Sequence, residues 1–135
     1  MKYLIHQCVA SRLRRLSRVA DGYLRNSLAD FDITENQMNI LFVLHKTNEI
    51  EQGAIGKILF LERSTVSRAV KLLEKKNYIF KSIDYQPKIK LTNSGEKLVL
   101  QLIPIWEKFM DEICDLIGKD GLNQIEKLEM KIVKV

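Results

Sequence analysis

Apolar and polar positions recur at a helical period over most of this chain. Ile5, Val9, Leu16, Val19, Tyr23, Leu24 and Leu28 fall at helical intervals with no proline among them, which predicts a helix over about residues 3–29. At 1.5 Å per residue such a helix is roughly 40 Å long. A compact domain of this size does not cover that length alone, so part of the apolar face is expected to meet another subunit. Packing on the chain's own later helices is the alternative, and the two are compatible. Asp30–Ile33 reads as a connector. Thr34 and Gln37 then form a T-x-x-Q capping box, with Ile33 and Met38 at the positions of a hydrophobic staple. The following run MNILFVL is apolar nearly all round, which places this second helix at the centre of the core until it ends near His45–Asn48.

The stretch from Gln52 to Asn77 predicts a short helix at Gln52–Leu59, a turn at Phe60–Arg63 and a strongly periodic helix from about Ser64 to Lys76, the layout of a helix-turn-helix. In the second of these helices Val66, Ala69, Val70 and Leu73 share one face, and Ser64, Arg68, Lys71 and Lys75 project from the other. Beyond it, alternation of Ile79, Lys81 and Ile83 with Phe80 and Ser82, and of Ile89 with Lys88 and Lys90, predicts two short strands around the turn Asp84-Tyr85-Gln86-Pro87. Thr92 caps a further helix to about Ile117, with Leu98, Leu102, Ile105, Phe109, Ile113 and Leu116 as its stripe, a kink expected at Pro104 and Gly118 suited to the C′ position. A last helix is expected from about Gly121 to Val133. The fold class is therefore mainly α with a small β-hairpin, a basic hairpin after a helix-turn-helix being the pattern of a winged helix.

Charge sharpens this picture through its location. Residues 63–90 hold eight Lys/Arg against two acids, Glu74 and Asp84, whereas residues 1–62 sum to +1 and residues 91–135 to −2. A polyanion-binding surface accounts for that asymmetry. An anionic membrane surface accounts for it less well, because the core already claims the apolar side of each basic helix. No apolar run approaches a membrane span, and the start MKYLIHQCVASRLRRL turns arginine-rich too early for a signal peptide. Cys8 and Cys114 are isolated, without a CxxC or a disulfide framework, which suits a cytoplasmic chain. Hydroxyls, a guanidinium and ammonium groups on one helical face suit a duplex groove: Arg pairs bidentately with guanine, Ser and Thr bond bases or phosphates, and Lys supplies charge to phosphate. The plain alternative is a solvated helix face, common in any α-rich protein.

Three motifs in register resemble the MarR family of regulators. ITENQMNILFVL resembles that family's second-helix signature, RSTVSRAVKLLEKKNYI its recognition helix and entry to the wing, and LTNSGEKL the segment that closes the wing and opens the fifth helix. The resemblance covers essentially the whole chain. It implies dimerisation helices over 1–29 and 92–135 around a winged helix over 34–91, and a symmetric homodimer on a pseudo-palindromic operator in double-stranded DNA. It also implies a small-molecule effector in many members, and no enzymatic activity, cofactor or membrane partner. The DNA-binding set then holds Arg63; Ser64, Thr65, Ser67, Arg68 and Lys71 toward the major groove, the hydroxyls of Ser64 and Thr65 alternatively holding phosphate; and Lys75, Lys81, Lys88 and Lys90 on backbone or minor groove. Two positions depart from the family. Its wing carries Asp-x-Arg where this chain has Asp84-Tyr85-Gln86, with Lys88 as the nearest substitute cation. Its glycine after the recognition helix is Asn77, a residue that tolerates the left-handed conformation.

Sensing candidates each have a plainer explanation. Cys8 lies near where the peroxide-sensing branch of the family places its cysteine, but about two residues early, and a thiol flanked by apolar positions is usually inert. His6, Cys8, His45 and Cys114 match no standard metal-ligand spacing. Tyr3, Tyr23, Phe31, Phe42 and Trp106 stand at spacings that suit either a ligand crevice or core. The rival from another class is a winged helix used for protein–protein contact. An enzyme fits worst, because no nucleophile elbow, phosphate loop, HExxH or paired-carboxylate constellation is present.

Overall fold

The computed structural model describes residues 1–134. Along the chain run a short 3₁₀ turn at Ile5–Gln7, then α1 (Val9–Ser27), α2 (Glu35–Thr47), β1 (Glu49–Glu51), α3 (Gln52–Leu59), α4 (Arg63–Lys75), β2 (Ile79–Lys81), β3 (Lys88–Leu91) and α5 (Asn93–Ile132). The chain divides into two compact units, one of residues 1–27 with 105–135 and one of residues 28–104.

In the 28–104 unit, α2 begins as its capping box dictates. The Thr34 Oγ1 accepts the Gln37 N–H at 3.2 Å and the Gln37 Oε1 accepts the Thr34 N–H at 3.1 Å. These bonds satisfy two of the amides that a helix start leaves without an internal partner. Thr34→Ala is expected to cost about 1 kcal/mol, read as a lower urea midpoint with an unchanged slope. Met38, Ile40, Leu41 and Leu44 of α2 are fully buried together with Ile55 of α3 and Leu73 of α4. Leaving water stabilises each such side chain by roughly 1.5–3 kcal/mol, so α2 is the structural centre of the unit.

The sheet has three strands in the order β1-β3-β2, all antiparallel. The hairpin β2–β3 follows the sequence expectation, but β1 does not: Glu49-Ile50-Glu51 is too short to show alternation and is fixed only by pairing Glu49 with Lys90 and Glu51 with Lys88. Gly95 joins α5 to this sheet, because a Cβ there would overlap the backbone carbonyl of Tyr78. Thr92 holds the junction: its Oγ1 accepts the Gly95 N–H at 3.1 Å and donates to the Asn77 carbonyl at 2.6 Å.

In the other unit one expectation is corrected. The helix anticipated from residue 3 starts only at Val9, since the Gln7 side chain accepts the Leu4 N–H at 2.8 Å and closes a separate turn, and Cys8 adopts extended backbone at ψ 107°. The break anticipated between two C-terminal helices is present at the expected residue, Gly118. Helix α5 runs on through Pro104 and departs from helical geometry at Gly118, whose φ of 76° and ψ of 166° suit glycine almost alone. Along α1, Leu13, Leu16, Val19 and Tyr23 form an apolar row left exposed; Leu122, Ile125, Leu128 and Ile132 do the same near the end of α5.

Candidate nucleic-acid interface

Helix α4 is fixed by its buried face. Val66, Ala69, Val70 and Leu73 are buried, while Arg63, Ser64, Ser67, Arg68, Lys71 and Lys75 are exposed and Thr65 is half-buried. The polar residues therefore project from a face whose rotation the core has already set. Its first turn has no acid, and its N-cap is Glu62, whose side chain makes no cap bond. Its C-terminus closes as a Schellman motif: the Tyr78 N–H reaches the Leu73 carbonyl at 3.0 Å and the Asn77 N–H the Glu74 carbonyl at 2.9 Å, with Asn77 at φ 63°. Phe60 in the turn before α4 also takes the left-handed conformation, at φ 54° and ψ 42°, a feature that no residue there advertises.

The basic hairpin does not present its three lysines together. Lys81 pairs with Ile89 and shares that buried residue's side of the sheet, half-buried, whereas Lys88 and Lys90 stand on the other side with Phe80, Glu49 and Glu51. Period-two alternation and the antiparallel register separate them. Lys88 Nζ lies 3.9 Å from Glu49 Oε1, and Lys90 Nζ sits 5.4 Å from the Phe80 ring centre. The acids of β1, which sequence alone does not place in the sheet, thus offset part of the wing's charge. Lys76 is also withdrawn from the basic cluster, its Nζ lying 3.2 Å from the Asp32 carboxylate. Between the α3 start, the α4 start and the wing lies an open cleft of about 250 Å³, lined by Gln52, Gly56, Arg63, Tyr85 and Pro87 among others.

Cys8 is half-buried at the N-terminus of α1, where the Ser11 hydroxyl, then the Ser11 amide, hold its thiol below the ordinary cysteine pKa. The sequence placed Cys8 inside a helix and so did not show this cap-like position. His45 is engaged by Glu96, Nδ1 to Oε2 at 3.0 Å. Among the described residues no three His, Cys, Asp or Glu side chains gather as a metal site, and no helix is long and apolar enough to cross a membrane.

A helix-turn-helix with a three-stranded wing, its second helix anchored on one face and polar on the other, defines a winged-helix protein of the DNA-binding type. Residues 31–86 match the model of the MarR family. Among curated proteins, the chain is 27% identical over 109 residues to the HTH-type transcriptional regulator YwaE of Bacillus subtilis, across 78% of this chain and 64% of that protein. It thus spans a little under two thirds of that relative's length. Among solved structures, the Staphylococcus aureus MepR–DNA complex shares the fold at a TM-score of 0.80 and 25% identity, over 93% of this chain and 96% of that one. Bordetella bronchiseptica BpsR, whose DNA binding is regulated by 6-hydroxynicotinic acid, superposes at a TM-score of 0.88 with 19% identity, over 98% of each chain.

Proposed function

We propose that this chain is a transcriptional regulator that reads double-stranded DNA as a homodimer on a pseudo-palindromic operator, in the cytoplasm, under the control of a small ligand and with no catalytic step. The observation that carries DNA reading is the exposed face of α4. Ser64, Ser67, Arg68, Lys71 and Lys75 project from a helix that the buried Val66, Val70 and Leu73 hold in place. Arg68 supplies the base-pairing fork and the lysines the charge that positions the protein on phosphate. Ligand control rests on likeness to BpsR, and it names no pocket here.

Dimerisation is supported by the unit of residues 1–27 and 105–135. Its α1 leaves an apolar row exposed, Leu16 by 65%, and so does the end of α5, Ile132 by 60%. Residues 1–20 carry five Lys/Arg and no acid, whereas 107–132 carry seven acids against four lysines. Two apolar faces of opposite charge suit pairing between two copies. Sedimentation equilibrium is expected to give twice the chain mass, with Leu16→Glu shifting the protein toward monomer; a wild-type monomer at high concentration would remove the dimer from this function.

The DNA function is tested by fluorescence anisotropy on a randomised duplex across a salt series. Log K is expected to fall steeply with log salt. A flat response would favour the protein-docking use of the winged helix.

A further inference from the structure

The tip of the wing, residues 83–87, carries the two most exposed large apolar side chains of the 28–104 unit, Ile83 at 102% and Tyr85 at 101%. The loop that presents them is tied at both ends. The Ser82 N–H donates to the Lys88 carbonyl at 2.9 Å, the Lys88 N–H to the Ser82 Oγ at 2.8 Å, and the Gln52 N–H to the Pro87 carbonyl at 3.0 Å. An isolated exposed apolar residue is ordinary on any surface. Two of them, two positions apart on a tethered loop, stand free in water where a partner can reach both.

The position and charge of the loop indicate that partner. Tyr85 and Pro87 line the same cleft as Arg63, the first residue of α4, so the tip stands beside the start of the candidate recognition helix. With α4 across a major groove, an element placed there meets the adjoining backbone and minor groove. The tip has no cation of its own: its one charged residue is Asp84, and Lys88 at its edge is shared with Glu49 at 3.9 Å. Cationic insertion into a narrow groove is therefore not what this loop offers. Isoleucine and tyrosine offer another chemistry, since branched apolar side chains wedge between base steps from the minor groove and aromatic rings stack on the bases so exposed.

We propose that the wing of this chain engages the minor groove through an apolar–aromatic wedge formed by Ile83 and Tyr85, in place of an inserted cation. The proposal rests on the DNA-reading function above and makes the wing a specificity element. Pyrimidine–purine steps such as TA and CA, which unstack at least cost, are favoured under it.

The test uses the full chain and a short duplex enriched by the wild-type protein from a randomised pool, with a fluorescent adenine analogue placed at successive flanking steps. Wild type is expected to brighten the analogue at one flanking step in each half-site, the sign of unstacking. Ile83→Ser/Tyr85→Ser is expected to bind roughly tenfold more weakly, to lose the brightening and to keep the wild-type salt slope, because no charge is removed. Both positions are fully exposed, so its melting temperature should match wild type, and Tyr85→Phe should retain the brightening. A steep wild-type slope with a double variant that binds equally well overturns the wedge alone. A double variant whose loss comes with a shallower slope also overturns it, in favour of an electrostatic wing. A flat wild-type slope overturns the DNA-reading function itself.

Discussion

Gly95→Ala is expected to destabilise the winged helix by about 3 kcal/mol, the upper part of the range for forcing extra volume into a packed site. The added Cβ would overlap the carbonyl oxygen of Tyr78 and stand 3.0 Å from its carbonyl carbon and 3.2 Å from Leu91 Cδ2. Neither backbone can move aside cheaply. The Tyr78 carbonyl accepts the Thr92 N–H at 3.1 Å, and the Tyr78 amide closes the end of α4. On the other side Thr92 holds the Gly95 amide and the Asn77 carbonyl at once. One methyl therefore pushes apart the end of α4, the edge strand of the wing and the start of α5. Urea unfolding followed by circular dichroism reads the effect, and Ser94→Ala, at an exposed neighbour, is expected to change little. A Gly95→Ala protein as stable as wild type would mean that α5 does not approach Tyr78 so closely.

Arg68→Ala is expected to cost about 1–3 kcal/mol on the specific duplex and to relax preference at one base position, the scale of a single bidentate base contact. Lys71→Ala acts differently. It weakens binding across all sequences and removes about 0.9 from the slope of log K against log salt, because one fewer counterion is released. The double variant should show both effects while melting like wild type, since both side chains are exposed and the buried face of α4 is untouched. Equal affinity and slope for wild type and double variant would show that this face does not meet DNA. The basic stretch would then be solvated or protein-facing.

Both experiments probe features of unequal visibility in the sequence. The rotation of α4 was readable because Val66, Ala69, Val70 and Leu73 repeat at the helical period, which fixes Arg68 and Lys71 on the opposite side wherever the helix packs. The start of α2 was readable because Thr34 and Gln37 exchange bonds within one turn. The left-handed Asn77 was anticipated as a tolerated replacement for glycine, and the structure places it at φ 63°. Gly95 lies within the LTNSGEKL segment, but nothing local gives its purpose. The reason is a carbonyl seventeen residues earlier in the chain.

The sequence by itself therefore determined the order of the helices and of the β2–β3 hairpin, the faces of the helices and the concentration of charge between Arg63 and Lys90. Each of these follows from periodicity, capping or composition within a few residues. Only the tertiary structure decided the third strand, since Glu49–Glu51 has no pattern of its own and exists by pairing with residues about forty positions away. That pairing places Glu49 against Lys88 and divides the wing lysines between two sides of the sheet, so what looked like one basic hairpin is a partly neutralised one. Only the tertiary structure also showed the tip with Ile83 and Tyr85 fully exposed, because burial of an alternating residue depends on which neighbours the register brings over it. Local interactions write themselves into adjacent residues. Long-range pairing does not, and the details that set how a wing of this chain meets a partner are of the second kind.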